Sequence, residues 1–215
     1  MNIVEQNYNS IQVSFILTIE DWAIFLDKWN QKVFEKLKAI NINPSKYHHY
    51  SEDTDYNCYH LPGATEAQII ELEQRLQTKL PVGYRNFLSA GNGYVSLDRR
   101  YMFCDTDKID WLIQENRKWA EIWSNSGRDI SDKKYFQYGA AQDCCWIRGR
   151  YMKNALQISP VDESYVYLLN PLIIDNKNEW ESWDFGSKYP GAFLYRSFWD
   201  MMQTLYLKSC ENYLF

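Results

Sequence analysis

Glu179 and Glu181 stand two residues apart in the run Glu179-Trp180-Glu181-Ser182-Trp183. On a strand, side chains at that spacing face the same way. The two carboxylates would then share a face, with Trp180 between them and Trp183 following. Glycoside hydrolysis uses such a pair, one carboxyl as acid and one as base or nucleophile, beside aromatic rings that stack a sugar. A solvated sheet face shows the same pattern, so a carbohydrate-active enzyme using Glu179 and Glu181 is one alternative reading. His48, His49, Cys58 and His60 fall within one stretch and suggest a metal. Neighbouring histidines do not easily share a tetrahedral ion, however, and no helical His-x3-His spacing occurs. These read as exposed loop residues, and neither a metal nor a cofactor is assigned. Cys144 and Cys145, read as strand residues, would point to opposite faces, one into the core and one to the surface. With no histidine close in sequence, a catalytic thiol there is a weak option. There is no glycine-rich phosphate loop, no GxSxG and no HExxH.

Two acidic clusters remain: Glu52, Asp53 and Asp55, and Asp105, Asp107 and Asp110. They suit ordinary solvation and helix N-terminal charge. They also suit a negative surface that steers toward a basic partner. Tyr47, Tyr50, Tyr56 and Tyr101 lie beside them and are of the type that anchors interfaces. The candidate partner-binding set is therefore Glu52, Asp53, Asp55, Tyr56, Tyr101, Asp105, Asp107 and Asp110.

The whole chain sets the limits. Its 215 residues and 25.7 kDa can bury a core without metal or disulfide staples. With 23 basic and 28 acidic residues the net charge is −5. It divides as −3 over residues 1–60, +1 over 61–150 and −3 over 151–215. No basic arm is present, which argues against direct nucleic-acid binding. No stretch reaches the roughly 18 apolar residues of a membrane span. The first residues lack a signal-peptide pattern, and five cysteines without a CxxC pair suit reduced thiols, so a cytoplasmic location is expected. The 9 Trp, 17 Tyr and 10 Phe serve cores and recognition surfaces alike.

The elements follow from periodicity. Ile11–Leu17 alternates as a strand or extended arm. Thr18 and Asp21 have the spacing of a helix cap, and Trp22, Phe25, Leu26, Trp29, Val33 and Leu37 form a stripe at helical spacing that ends by Asn43-Pro44. Residues 45–60 read as a loop, dividing an N-terminal extension (1–59) from a main domain (60–215). There Thr65 and Gln68 form a capping box ahead of Ile69, Leu72 and Leu76, with Glu66, Glu71, Glu73 and Arg75 on other faces. Leu80-Pro81 opens a short helix with Tyr84, Phe87 and Leu88 inward. Gly91 offers a left-handed stop, and Asn92-Gly93 a tight turn before Tyr94–Leu97. Ile109–Asn125 reads as a helix burying Leu112, Trp119, Ile122 and Trp123, stopped by Gly127. Strands are expected at Tyr135–Tyr138, Cys144–Tyr151, Ala155–Ser159, Tyr165–Leu169 and Glu179–Phe185, with turns at Gly139, Gly149, Asn170-Pro171 and Gly186. A final helix starts at the Ser197/Asp200 pair and carries Phe198, Met201, Met202 and Leu205. Helices, then strands, then a helix imply an α+β fold.

Two ordered sets of residues carry a resemblance. Leu61-Pro62-Gly63-Ala64-Thr65-Glu66, followed by Ile69, Leu72-Glu73, Leu76, Leu80-Pro81, Tyr84, Phe87-Leu88 and Asn92-Gly93, resembles the signature of the SUKH superfamily. Tyr135–Gly139, Gln142-Asp143, Tyr167–Pro171, Glu179–Trp183, Pro190–Ala192 and Tyr195–Trp199 are similar to its bacterial branch, the Smi/Knr-type immunity proteins. The match spans about residues 60 to 208; residues 1–59 match nothing. The resemblance implies helices packed on a mixed, mainly antiparallel sheet. It implies a non-catalytic immunity protein that binds a cognate toxin domain, often a nuclease, and occludes it. A fungal branch implies the alternative of an interaction module regulating cell-wall synthesis. Thr65, Leu80, Pro81, Tyr84, Phe87, Gly91, Asn92 and Gly93 each have a folding role of capping, turning or filling, so the motif reads as scaffold.

Overall fold

A computed structural model describes residues 16–41, 62–125, 130–161, 165–186 and 190–211. The expected strand at 11–17 lies mostly outside these residues. So do the 45–60 loop, His48, His49, Cys58, His60, Tyr47, Tyr50, Glu52, Asp53, Asp55, Tyr56 and Gly127.

Three helices open the fold. Helix α1 (Ile19–Ala39) is capped by Thr18, whose hydroxyl accepts from the Asp21 N–H while the Asp21 carboxylate accepts from the Thr18 N–H. Thr65 and Gln68 repeat that box on α2 (Glu66–Leu76). Pro81 is the residue before α3 (Val82–Ala90). A short pair follows, β1 (Tyr94–Val95) with β2 (Met102–Phe103).

The main sheet is an antiparallel meander in the order β3-β4-β5-β6-β7. Its strands are β3 (Asp110–Trp111), β4 (Leu156–Gln157), β5 (Tyr165–Ile174), β6 (Trp180–Gly186) and β7 (Gly191–Tyr195). Between β3 and β4 lie α4 (Leu112–Glu115), α5 (Arg117–Ser124), α6 (Asp132–Tyr135) and two 3-10 turns, Gly139–Ala141 and Gly149–Asn154. Helix α7 (Phe198–Glu211) ends the described residues, with Ser197 accepting from the Asp200 N–H.

Both faces of the sheet are buried, because strand alternation sends successive side chains to opposite layers. Leu169 and Tyr167 of β5 pack with α1, α2, α3 and α7, around Trp22, Trp29, Tyr84, Phe87, Phe198 and Met201. Val166 and Leu168 of the same strand pack the other way, with Leu112, Ala120, Tyr135, Met152, Trp183 and Phe185. The result is a helical layer, a sheet and a second layer of short helices and turns.

Several expectations are corrected. Gly91 is not left-handed: at φ −155° it leaves the helix extended, its N–H still bonding the Phe87 carbonyl. Positive φ falls at Gly93 (+90°), where an added Cβ would stand 2.9 Å from the Phe103 carbonyl oxygen. The helix expected over 109–125 is three elements. Ala155 accepts the Leu112 N–H and draws Asp110–Trp111 into the sheet, and Asn116 breaks the helix with its side chain on Gln157. Ile122 is 56% exposed, and Ala120 is the buried residue of α5. Tyr135–Tyr138 and Cys144–Tyr151 are not strands. They form the end of α6, turns and a 3-10 segment that cover the second sheet face, one-sided burial in runs too short for periodicity to name. Gly191–Tyr195, not expected, is the strand beside β6. Asn170-Pro171 is no turn but lies within β5, at a register shift where proline's missing N–H is tolerated.

Candidate functional site

The carboxylates singled out for chemistry are held by the fold. Regular pairing of β6 begins at Trp180, so Glu179 belongs to the turn before it, where its N–H donates to Asp175. Its carboxylate accepts the Gly83 N–H of α3 at 2.8 Å, in the first layer. Gly83 leaves room for it: a Cβ there would stand 2.7 Å from Glu179 Oε2. Glu181 turns to the second layer. Its Oε2 accepts from Tyr135 Oη (2.5 Å), Trp183 Nε1 (2.7 Å) and Asn170 Nδ2 (2.9 Å), and its Oε1 from Tyr138 Oη (2.8 Å). The shared face read from the sequence is therefore corrected, as is the solvated face: Glu181 is fully buried and Glu179 is 7% exposed. Burial pushes both carboxyls up from the ordinary range, against the donors that pull them down. Four donors around one carboxylate make Glu181 a buried junction joining β5, β6 and α6.

Glu73, expected on an outer face of α2, is a second buried junction. It accepts from Lys79, Arg85 and the Leu80 N–H at 2.6, 2.6 and 3.0 Å. Those donors hold its carboxyl below the usual range although burial opposes them. Arg85 also reaches Glu66, so one guanidinium links α2 to α3 across the Leu80-Pro81 turn. Of the motif residues, Leu80, Tyr84 and Phe87 are core, Thr65 caps, and Asn92 accepts the Thr106 N–H with its side chain.

Asp105 and Asp107 sit on the turn between β2 and β3, and Asp110 is the first residue of β3. Asp105 pairs with Lys108 at 2.5 Å, and Asp110 lies 3.6 Å from Arg75; Asp107 is exposed. Among the described residues the three carboxylates do not converge on a common point for an ion. Arg75 anchors the turn from α2, donating to the Thr106 and Ile109 carbonyls. Tyr101, expected at the surface, is only 9% exposed: its ring packs 5.2 Å from Trp29, and burial pushes its hydroxyl up to about 12. Its edge reaches a cleft of about 250 Å³ that patterning did not reveal. Arg100, Tyr165, Tyr167, Asp184 and Lys208 line it, and Met102 on its wall connects it to the acidic turn three residues on. Long-range assembly from β2, β5, β6 and α7 hid this cleft from sequence reading.

Cys144 and Cys145 occupy a turn, not a strand. Both are half-buried, and their sulfurs lie on the same side as the Asp143 carboxylate.

The three-layer α+β scaffold thus holds its candidate catalytic carboxylates as internal junctions, and its cleft opens on β2, whose Met102 precedes Asp105 by three residues. The family model described as SMI1/KNR4 family (SUKH-1) matches residues 63–204, and the chain belongs to that family. No curated protein matches it. No described helix is long and apolar enough to cross a membrane.

Proposed function

We propose that this chain is a bacterial immunity protein that binds a cognate toxin domain, such as a nuclease, and occludes its active surface stoichiometrically, without chemistry of its own. The observation that carries the reading is the engagement of Glu179 and Glu181 by donors of the fold itself, in a chain of the SMI1/KNR4 family. Hydrolysis by that pair needs two carboxylates flanking one substrate; here each faces a different layer. The binding face we propose takes in Asp105, Asp107 and Asp110 and the cleft lined by Tyr101; Glu52, Asp53, Asp55 and Tyr56, outside the described residues, complete the proposed partner-binding set. A toxin nuclease must grip phosphate with basic groups, and an acidic turn competes for those groups. The cytoplasm, where such a toxin acts, is the matching location.

The test is co-expression with the product of the neighbouring gene, assayed as a toxin. Restored growth and co-purification at fixed stoichiometry are expected. Neither rescue nor complex with that toxin would overturn the reading and favour the family's other role, a module that regulates cell-wall synthesis through protein partners.

A further inference from the structure

The turn carrying Cys144 and Cys145 is clamped along the free edge of β7. Gln142 bonds the backbone of Leu194 from both sides, accepting its N–H at 2.8 Å and donating to its carbonyl at 3.3 Å. The Cys144 carbonyl accepts the Ala192 N–H at 3.0 Å. The approach is so close that a Cβ on Gly191 would stand 2.0 Å from that carbonyl oxygen, so only glycine fits at the crossing. Asp143 then folds the chain back on itself: its Oδ1 accepts the Cys145 N–H at 2.9 Å, and its carbonyl accepts the Trp146 N–H, also at 2.9 Å. This local turn defeats the strand alternation that would have separated the two thiols.

The consequence is convergence. One oxygen of Asp143 and the sulfurs of Cys144 and Cys145 all lie within 4.8 Å of one another, with Asp143 exposed and both cysteines half-buried. A tetrahedral ion with metal–sulfur bonds of about 2.3 Å holds two sulfurs roughly 3.8 Å apart. The two sulfurs, already within 4.8 Å of one another, need close by no more than about 1 Å to reach it. We propose that Asp143, Cys144 and Cys145 bind a single thiophilic divalent cation of the zinc–cadmium class, with water completing its shell. Two sulfurs select a soft or borderline ion over calcium or magnesium, which take oxygen ligands. As each metal–sulfur bond forms, the thiol releases its proton to solvent. The site lies on the β7 edge of the sheet and is separate from the acidic turn, whose carboxylates do not converge.

Reduced full-length protein is titrated with Cd(II), following the ultraviolet thiolate-to-cadmium absorption, and with Zn(II) by equilibrium dialysis. One equivalent of either ion is expected to bind. Cys144→Ser and Cys145→Ser should each remove the absorption band and weaken binding at least about tenfold, and Asp143→Asn, which keeps the turn's acceptor, by about tenfold. Cys210→Ser and Cys58→Ser should bind as the wild type does. Cys144, Cys145 and Cys210 are half-buried, where serine is expected to leave the fold intact, and thermal melting of every variant checks this. Absence of binding to the wild type overturns the site, and so does a band that survives Cys144→Ser and Cys145→Ser or vanishes in Cys210→Ser or Cys58→Ser.

Discussion

Glu181 shows how a residue type chosen for its chemistry can be spent on architecture. Its four hydrogen bonds come from Tyr135, Tyr138, Asn170 and Trp183. Glutamine in its place cannot match them all, since its amide nitrogen would face donors. Glu181→Gln should cost about 1–3 kcal/mol, measured by urea unfolding at neutral pH. The pH dependence has a definite sign. Burial raises the carboxyl in the folded protein, so between the unfolded and folded pKa values the native state keeps a proton that the unfolded chain has lost. That contribution to stability is full below the unfolded pKa and declines as pH rises through the window. Glutamine has no proton to lose, so the variant's deficit should shrink as pH is raised from about 4 to 7. A deficit that grows over that range would contradict a raised carboxyl. From the sequence, Glu179 and Glu181 were legible as a carboxylate pair beside tryptophans on one shared or solvated strand face, but not as buried junctions. Apart from Asn170 and Trp183, the donors that consume them come from Gly83, Tyr135 and Tyr138, far off in the chain and brought close only by the layering.

At the scale of elements, the local rules held where both partners of an interaction are near in sequence. The capping boxes at Thr18 and Thr65 and the stripes of α1, α2 and α7 were readable because caps and helical periodicity are properties of neighbours. They failed in the second layer, where 109–125 and 135–151 answer to distant partners such as Ala155, Gln157 and the second face of the sheet. Glu73 belongs to the same class of failure, since its burial depends on Arg85 reaching across from α3. Removing its carboxylate leaves the mostly buried Arg85 guanidinium with Glu66 as its remaining acidic partner and the Leu80 N–H unmatched. Glu73→Ala should therefore destabilise by about 3 kcal/mol, with α2 and the Leu80-Pro81 turn losing hydrogen-exchange protection first. Loss confined to surface amides would show the junction to be incidental. Because donors hold its carboxyl low, Glu73 stabilises above the unfolded pKa, and that contribution is lost as pH falls through the folded value.

The whole molecule carries −5 on 215 residues, so any electrostatic steering must come from how charge is placed. Asp105 is committed to Lys108, which makes exposed Asp107 the cleaner probe of the proposed face. Asp107→Lys should slow association with the toxin domain and flatten its dependence on salt, read by stopped-flow mixing at two ionic strengths, while leaving the melting temperature unchanged. An unaltered rate would move the interface elsewhere. The family match begins at residue 63, yet Trp22, Leu26, Trp29 and Val33 of α1 share a core with Phe198, Met201 and Leu205 of α7. This arrangement has a consequence for biosynthesis. The tryptophan-rich side of the first helix leaves the ribosome long before the last helix that covers it. At usual translation speeds the delay is roughly ten to forty seconds. For that interval the nascent chain lacks the cover that α7 gives this greasy ridge, the kind of transient apolar surface that chaperones exist to shield.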